Sequence, residues 1–253
     1  MTDSEDYKQR REFFAGMLTI YGRKPVLDAL EDPAIQPYRL HLADSNKHSK
    51  PIQAMLELAQ SRGIETLMHS REALSRISKN RRQDQGVVLD IAAPNYRNVS
   101  VLNPYEHPCV IALENVTNPQ NIGMTIRSIG ASPAAGLILP KQGSAPLDAL
   151  VIKASAGTLF KTPVFYCSSL LDVVPQLGAL GYKIYGMTGA GSRALNDIPT
   201  GDPAIYLLGN ETHGLSNELL ALCDAQVKIP MRSGVESLNV SVAAALVAFR
   251  GVL

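Results

Sequence analysis

The residue pattern reads as an α/β protein of two domains, the second built on a largely parallel sheet, and three observations carry that reading. From Cys109 onward, short apolar runs alternate with stretches that carry apolar residues at helical spacing. Before it lies a smaller region with the same mixture, and a Pro- and Asn-rich stretch without period separates the two. The 253 residues are enough to bury one large core or two modest ones, and the change of pattern favours two.

Residues 1–16 are charged and lack an apolar period, which suits a mobile arm. The first domain then covers 17–93. Gly22 and Pro25 signal a helix start, with Val26, Leu27 and Leu30 at helical spacing behind them. Alternation predicts a strand over 38–43, and a helix follows over 51–62 with Ile52, Met55, Leu56 and Ala59 inward. A closing strand spans 86–92. Residues 94–107 read as the linker. In the second domain, 108–253, the apolar runs 110–113, 136–139, 183–187, 204–208 and 225–229 read as buried parallel strands, so a ligand belongs at their carboxyl ends.

Composition narrows the class. Hydrophobic residues at 45% and charged ones at 19% exclude a disordered or fibrous chain. No run of about eighteen apolar residues exists, and the acidic start Met1-Thr2-Asp3-Ser4-Glu5-Asp6 lacks a signal-peptide pattern, so a cytoplasmic protein is expected. Cys109, Cys167 and Cys223 lie far apart beside apolar residues and read as small core residues rather than metal ligands or a disulfide framework. The formal net charge of +1 gives no global argument for nucleic acid. Lys8, Arg10 and Arg11, then Arg23 and Lys24, then Arg76, Lys79, Arg81 and Arg82 nevertheless concentrate positive charge in the first hundred residues. Phosphate contacts or a solvated surface both fit these clusters.

Three polar segments stand at the ends of apolar runs. In the first, Asn118-Pro119 opens a helix in which Ile122, Ile126 and Ile129 point inward, while Gly123, Arg127 and Gly130 share a neighbouring stripe. Arg127 there either pairs with a carboxylate or offers its planar donors to an anion. In the second, Gly209-Asn210-Glu211-Thr212-His213-Gly214 mimics a phosphate loop, but Leu215 stands where that loop needs Lys. The glycines of Gly186-Met187-Thr188-Gly189-Ala190-Gly191 likewise have the wrong order for a dinucleotide fingerprint. No Gly-x-Ser-x-Gly elbow accompanies His213, which reads as a loop residue. In the third, polar Ser237-Leu238-Asn239 precedes an apolar helix. Ser237 as helix cap with Glu236 biasing the first turn is one reading, and a binding site is the other.

Together these segments resemble the three motifs of the SpoU branch of the SPOUT RNA methyltransferases. The first is Asn118-Pro119-x-Asn121-x-Gly123-x-x-x-Arg127; the second is Gly209 and Glu211 before Gly214-Leu215; the third is Ile229-Pro230-Met231 followed by Ser237-Leu238-Asn239-Val240-Ser241-Val242. The stretch from Lys153 to Val164 adds a further trait, and the likeness runs from Pro108 to Leu253. More weakly, Ile20-Tyr21-Gly22-Arg23 and Gln85-Gly86 look like the ribosomal-protein-type, RNA-binding α/β domain that precedes the catalytic domain in relatives acting on ribosomal RNA.

The resemblance implies a deep trefoil knot in the carboxyl-terminal sheet, one of the rare exceptions to unknotted topology. It also implies a homodimer in which the apolar helix over 240–249 serves both knot and interface. The activity implied is methyl transfer from S-adenosylmethionine to a ribose 2′-hydroxyl, without a metal. Ribosomal RNA is the favoured substrate, with transfer RNA as the alternative and a non-catalytic RNA-binding scaffold as the rival class. Leu208, Gly209, Asn210, Ile229, Met231, Ser237 and Leu238 are implied to hold the cofactor, with Gly209 permitting close approach. Arg127, Asn121, Glu211, Ser237 and Asn239 are implied to serve the reaction, Arg127 by binding a phosphate beside the target ribose. Two departures from the pattern are Asp84, where relatives often carry His, and Arg250, where they often carry Glu.

Overall fold

The computed structural model describes residues 17–33, 35–46, 49–93 and 95–252; the arm expected over 1–16 lies outside them. The chain divides into two compact units, 1–94 and 95–253.

In the first unit the order is β1 (Met17–Tyr21), α1 (Arg23–Glu31), β2 (Gln36–Ala43), α2 (Lys50–Ser61), β3 (Glu65–His69), α3 (Arg71–Ser78) and β4 (Val87–Ala92). The sheet runs β1-β4-β2-β3, with β4 antiparallel to both neighbours and β2 parallel to β3. Alternation explains it: Leu18 and Ile20 pair with Ile91 and Leu89, Leu40 also pairs with Leu89, and all five are buried. The expected helices and strands around 26–30, 38–43, 51–62 and 86–92 are present. Sequence periodicity missed β1, β3 and α3; β3 and α3 bury too few apolar residues to leave a pattern. The local cue for α3 is Ser70, whose hydroxyl accepts the Ala73 N–H at 3.2 Å.

The second unit contains β5 (Tyr96–Asn98), β6 (Cys109–Leu113), α4 (Pro119–Gly130), β7 (Gly136–Pro140), α5 (Ala149–Ala154), β8 (Val164–Cys167), α6 (Leu170–Ala179), β9 (Lys183–Met187), β10 (Arg193–Ala194), β11 (Ala204–Leu208), α7 (Asn217–Ala221), β12 (Ala225–Lys228) and α8 (Val240–Ala248). Its eight strands pair in parallel in the order β10-β12-β9-β11-β6-β7-β8-β5. All five expected strands are among them. The stretch expected as a linker differs. Tyr96–Asn98 forms the edge strand on β8, Tyr96 packs on Tyr166 with ring centres 4.8 Å apart, and Val99 and Leu102 enter the core. Three residues are too few to show a period, yet their apolar contacts draw the segment into the sheet.

Ile122, Ile126 and Ile129 of α4 are buried as their spacing predicts. Gly123 serves packing: a Cβ there would stand 2.8 Å from the Val151 carbonyl oxygen, so only Gly lets α5 lie against α4. α8 packs on α4, β6 and β11 through Val240, Ala244, Val247 and Ala248. Among the described residues no helix is long and apolar enough to cross a membrane.

Candidate active site

At the carboxyl ends of β9, β11 and β12 lies a cavity of about 400 Å³, where a parallel sheet places its ligands. Leu208, Gly209 and Asn210 line it from the exit of β11, Ile229 and Met231 from the exit of β12, and Ser237 and Leu238 from the entry to α8. All seven residues expected to hold the cofactor therefore meet at one place. Met187, Thr188 and Gly189 at the end of β9 line it too, and the sequence reading missed them. Their glycine string does not fit a dinucleotide fingerprint, and its position at a strand end is the usable signal.

The loop after β11 is held by its own residues, the Asn210 side chain above all. Asn210 Oδ1 accepts the N–H groups of Thr212 at 3.0 Å and His213 at 2.8 Å, and the Gly214 N–H donates to the Asn210 carbonyl at 3.0 Å. A Cβ on Gly209 would overlap the Gly214 carbonyl carbon and the Leu215 nitrogen. Gly209 is thus required first by the loop's return on itself, a tighter constraint than the approach of a ligand. Below the loop, Glu114 accepts the Ser216 N–H at 2.8 Å and the Ser216 hydroxyl at 2.7 Å, tying the start of α7 to the end of β6. Glu114 carried no motif signal that would have singled it out.

A chain of side-chain amides joins the three sequence segments. Asn121, only 7% exposed on the first turn of α4, donates through Nδ2 to the Glu211 carboxylate. Its Oδ1 accepts from Asn239 Nδ2 at 3.1 Å. Asn239 Oδ1 in turn accepts the Ser241 N–H at 2.9 Å and the Ser241 hydroxyl at 2.6 Å. The helix cap is therefore Asn239, and the reading of Ser237 as cap is corrected. α8 begins at Val240, so Ser237 stands two positions too early to reach the free N–H groups of its first turn. Ser237 is instead exposed and lines the cavity beside Glu236.

Arg127 occupies an exposed face of α4, six residues beyond Asn121, and is not among the residues lining the cavity. No carboxylate pairs with it among the described residues. His213 is an exposed loop residue.

Both departures from the motif pattern have structural partners. Arg250 donates to the Tyr206 hydroxyl and lies 5.6 Å from that ring's centre; burial pushes the Tyr206 hydroxyl up to about 12, with the Arg250 charge opposing. Asp84 is fully buried and pairs with Arg71 at 2.7 Å. Burial pushes the thiols of Cys109, Cys167 and Cys223 up to about 11, which keeps them protonated and unreactive at neutral pH.

Known proteins share this sequence pattern and fold. The SpoU rRNA Methylase family matches residues 108–249, and a family described as RNA 2'-O ribose methyltransferase substrate binding matches 19–97. An uncharacterized tRNA/rRNA methyltransferase of Mycolicibacterium vanbaalenii is 32% identical over 235 residues, covering 90% of this chain and 74% of the relative. Among solved structures, the SpoU methyltransferase AviRb from Streptomyces viridochromogenes in complex with AdoMet superposes with a TM-score of 0.63 at 27% identity, covering 97% of this chain and 91% of that one. An AdoMet-bound rRNA methyltransferase from Sinorhizobium meliloti shares the fold, with a TM-score of 0.63 at 23% identity over 97% and 88% of the two chains. The family matches and the methyltransferase relatives make this chain an RNA methyltransferase. The chain belongs to the SpoU rRNA Methylase family.

Proposed function

We propose that the protein methylates a ribose 2′-hydroxyl in ribosomal RNA, with S-adenosylmethionine as donor. The observation that carries this reading is the continuous link Glu211–Asn121–Asn239, which sets one residue from each motif beside a cavity fit for the cofactor. About 400 Å³ falls within the range of small-molecule sites. Leu208, Ile229, Met231 and Leu238 offer apolar walls for an adenine, and Asn210, Ser237 and Glu236 offer polar partners, Glu236 a carboxylate for an ammonium group.

When bound, S-adenosylmethionine supplies a methyl group already activated on its sulfonium. The residues of the chain then have to place the ribose and ease departure of its proton. Arg127, unpaired with any described carboxylate, binds the RNA phosphate next to that ribose. A guanidinium is a donor without a lone pair to offer, so Arg127 positions and polarises, and the hydroxyl proton passes to solvent water. Asn121, Ser237 and Asn239 hydrogen-bond the ribose or the loops around it, and Glu211 orients Asn121. Ribosomal RNA is favoured over transfer RNA by the presence of the additional unit matched over 19–97.

A homodimer, a trefoil knot and a cytoplasmic location belong to the same reading. Met124 on α4 and Val242 and Leu246 on α8 are large apolar side chains left exposed on two helices that pack together, which supports a second copy docking there. The seating of α8 against α4, β6 and β11, behind a segment that lines one cavity with the loop after β11, supports the knot.

The deciding experiment incubates the protein with methyl-labelled cofactor and either ribosomal or transfer RNA from cells lacking it, then digests the RNA to nucleosides. A 2′-O-methylnucleoside from ribosomal RNA is expected. Label on a base, or only in transfer RNA, overturns the substrate assignment, and no label in either RNA overturns the activity.

A further inference from the structure

A second cavity of the second unit, about 300 Å³, lies at the carboxyl ends of β6, β7 and β8, on the half of the sheet edge that the methyl-transfer cavity leaves open. Buried Pro140, Leu170 and Leu219 give it an apolar floor, and Leu171, 43% exposed, adds a leucine open to solvent. Three neutral polar residues line it as well: Asn115 from the exit of β6, Gln142 from the exit of β7 and Ser168 from the exit of β8. Their side chains make no hydrogen bond among the described residues, so their donors and acceptors are open.

Charge narrows what such a lining can hold. The Glu114 carboxylate belongs to the wall, and no Lys or Arg does. α6 starts at the cavity with Leu170 and Leu171, but its first turn already carries Asp172, and the Ser169 hydroxyl accepts the Leu171 N–H at 3.1 Å. A phosphate or carboxylate would thus meet negative charge with no cation to offset it. A neutral ligand with apolar faces and a hydrogen-bonding edge fits.

The place of the cavity says which neutral ligand. Asn115 adopts φ +53, in the left-handed region, and its Oδ1 lies where a Cβ on Gly143 would be. In that conformation its carbonyl accepts from Asn210 Nδ2 at 3.4 Å. Asn210 lines the methyl-transfer cavity, so the two cavities share a wall, with Asn210 on one side and Asn115 on the other.

We infer that this second cavity takes an unstacked base of the RNA substrate, at or beside the methylated ribose, and selects among bases. The aliphatic floor packs against the face of a base, while the amides of Asn115 and Gln142 each offer the donor and acceptor that a base edge requires. Single-stranded RNA is read in this way, from bases turned out of the stack. A volume of about 300 Å³ stands at the small end of ligand sites and suits one base. The site lies in the unit matched over 108–249, apart from the substrate-binding unit. The inference rests on the proposed activity for the identity of the polymer and the place of the ribose.

The test measures binding of the full-length protein to ribosomal RNA across a series of salt concentrations, with methyl-transfer kinetics and mapping of the methylated positions. Gln142→Ala removes one amide edge, and Ser168→Phe fills the cavity from an exposed position. Each is expected to weaken RNA binding about tenfold without changing the slope of log affinity against log salt, because no phosphate contact is lost. Ser168→Ala leaves the cavity open and should stay within about threefold of wild type. Cofactor affinity should stay within about twofold and the melting temperature within about 2 °C, as for other exposed positions. In Gln142→Ala the methyl should also reach positions that the wild type leaves unmodified. Wild-type affinity in both Gln142→Ala and Ser168→Phe overturns the inference and leaves the activity standing. Weaker binding with the salt slope reduced by about one marks a phosphate and overturns the assignment of a base. A wild-type protein that transfers no methyl overturns the activity, while tenfold weaker RNA binding by both variants at unchanged slope still supports the base site.

Discussion

Asn239 donates its side-chain amide to the Asn121 oxygen at 3.1 Å, across 118 positions of the chain. Its own oxygen caps α8 through the Ser241 N–H, so one residue closes a helix and joins the third motif to the first. The polarity just before that apolar helix follows from this double duty.

The two duties separate by substitution. Asn239→Ser keeps a cap and loses the amide donor, so its melting temperature should stay near wild type while methyl transfer falls by about tenfold or more. Asn239→Ala loses both, and should be destabilised by about 1 kcal/mol as well. Thermal melts read against initial rates decide the case; wild-type activity in Asn239→Ser would reduce Asn239 to a cap.

Gly209→Ala should be severe, because its Cβ would overlap the backbone at Gly214 and Leu215, which cannot swing aside as a side-chain tip can. A loss of about 2 kcal/mol or more is expected, with cofactor binding abolished by calorimetry. Wild-type binding in this variant would show that the loop after β11 does not shape the cavity.

Arg127→Ala should abolish methyl transfer and leave the cofactor's dissociation constant within about twofold, since Arg127 stands outside the cavity lining. Stability should change by less than about 0.5 kcal/mol, as expected for an exposed side chain without an ion-pair partner. Joint loss of cofactor binding would make its role structural.

Acid should weaken the first unit. There His41 lies between His69, 2.9 Å from its Nδ1, and Asp90, 3.1 Å from its Nε2, while Thr19 donates to Asp90 at 2.7 Å. Burial, then the charge of His41, holds His69 below the ordinary 6.5. The unfolded chain thus binds more protons there, and stability declines as pH falls from about 6.5. Burial alone would raise Asp90, but hydrogen bonds from His41 and Thr19, with the charges of His41 and Arg39, hold its carboxyl below the ordinary 3.8. Its contribution is present above that value and is lost as pH falls through the folded-state value. The melting temperature should fall as pH drops below about 6.5 and again as it drops below about 3.8, and His69→Gln should flatten the upper decline by about 1–2 °C, since solvent screens this partly exposed group. A flat profile in the wild type would contradict the assignment.

Legibility tracked length and periodicity. The five buried strands and α4 were readable because runs of Val, Ile and Leu, or Ile122, Ile126 and Ile129 at helical spacing, leave a signature that burial enforces. The edge strands β5 and β10, three and two residues long, leave none. The seven residues expected from motif resemblance to hold the cofactor all line the cavity, whereas Met187, Thr188, Gly189 and Glu114 carried no such signal, since a loop that supplies backbone or a brace can do so with many side chains.

Local residue choice thus determined the elements and the family, because capping, periodicity and turn chemistry act over a few neighbouring positions. Which residues meet was decided by the folded chain. That Asn121 bonds both Glu211 and Asn239, that Glu114 holds Ser216, and that Arg127 stands apart from the cavity all depend on contacts between distant segments. Side-chain hydrogen bonds of that kind form only after packing has brought their partners within about 3 Å, and no spacing along the chain encodes them.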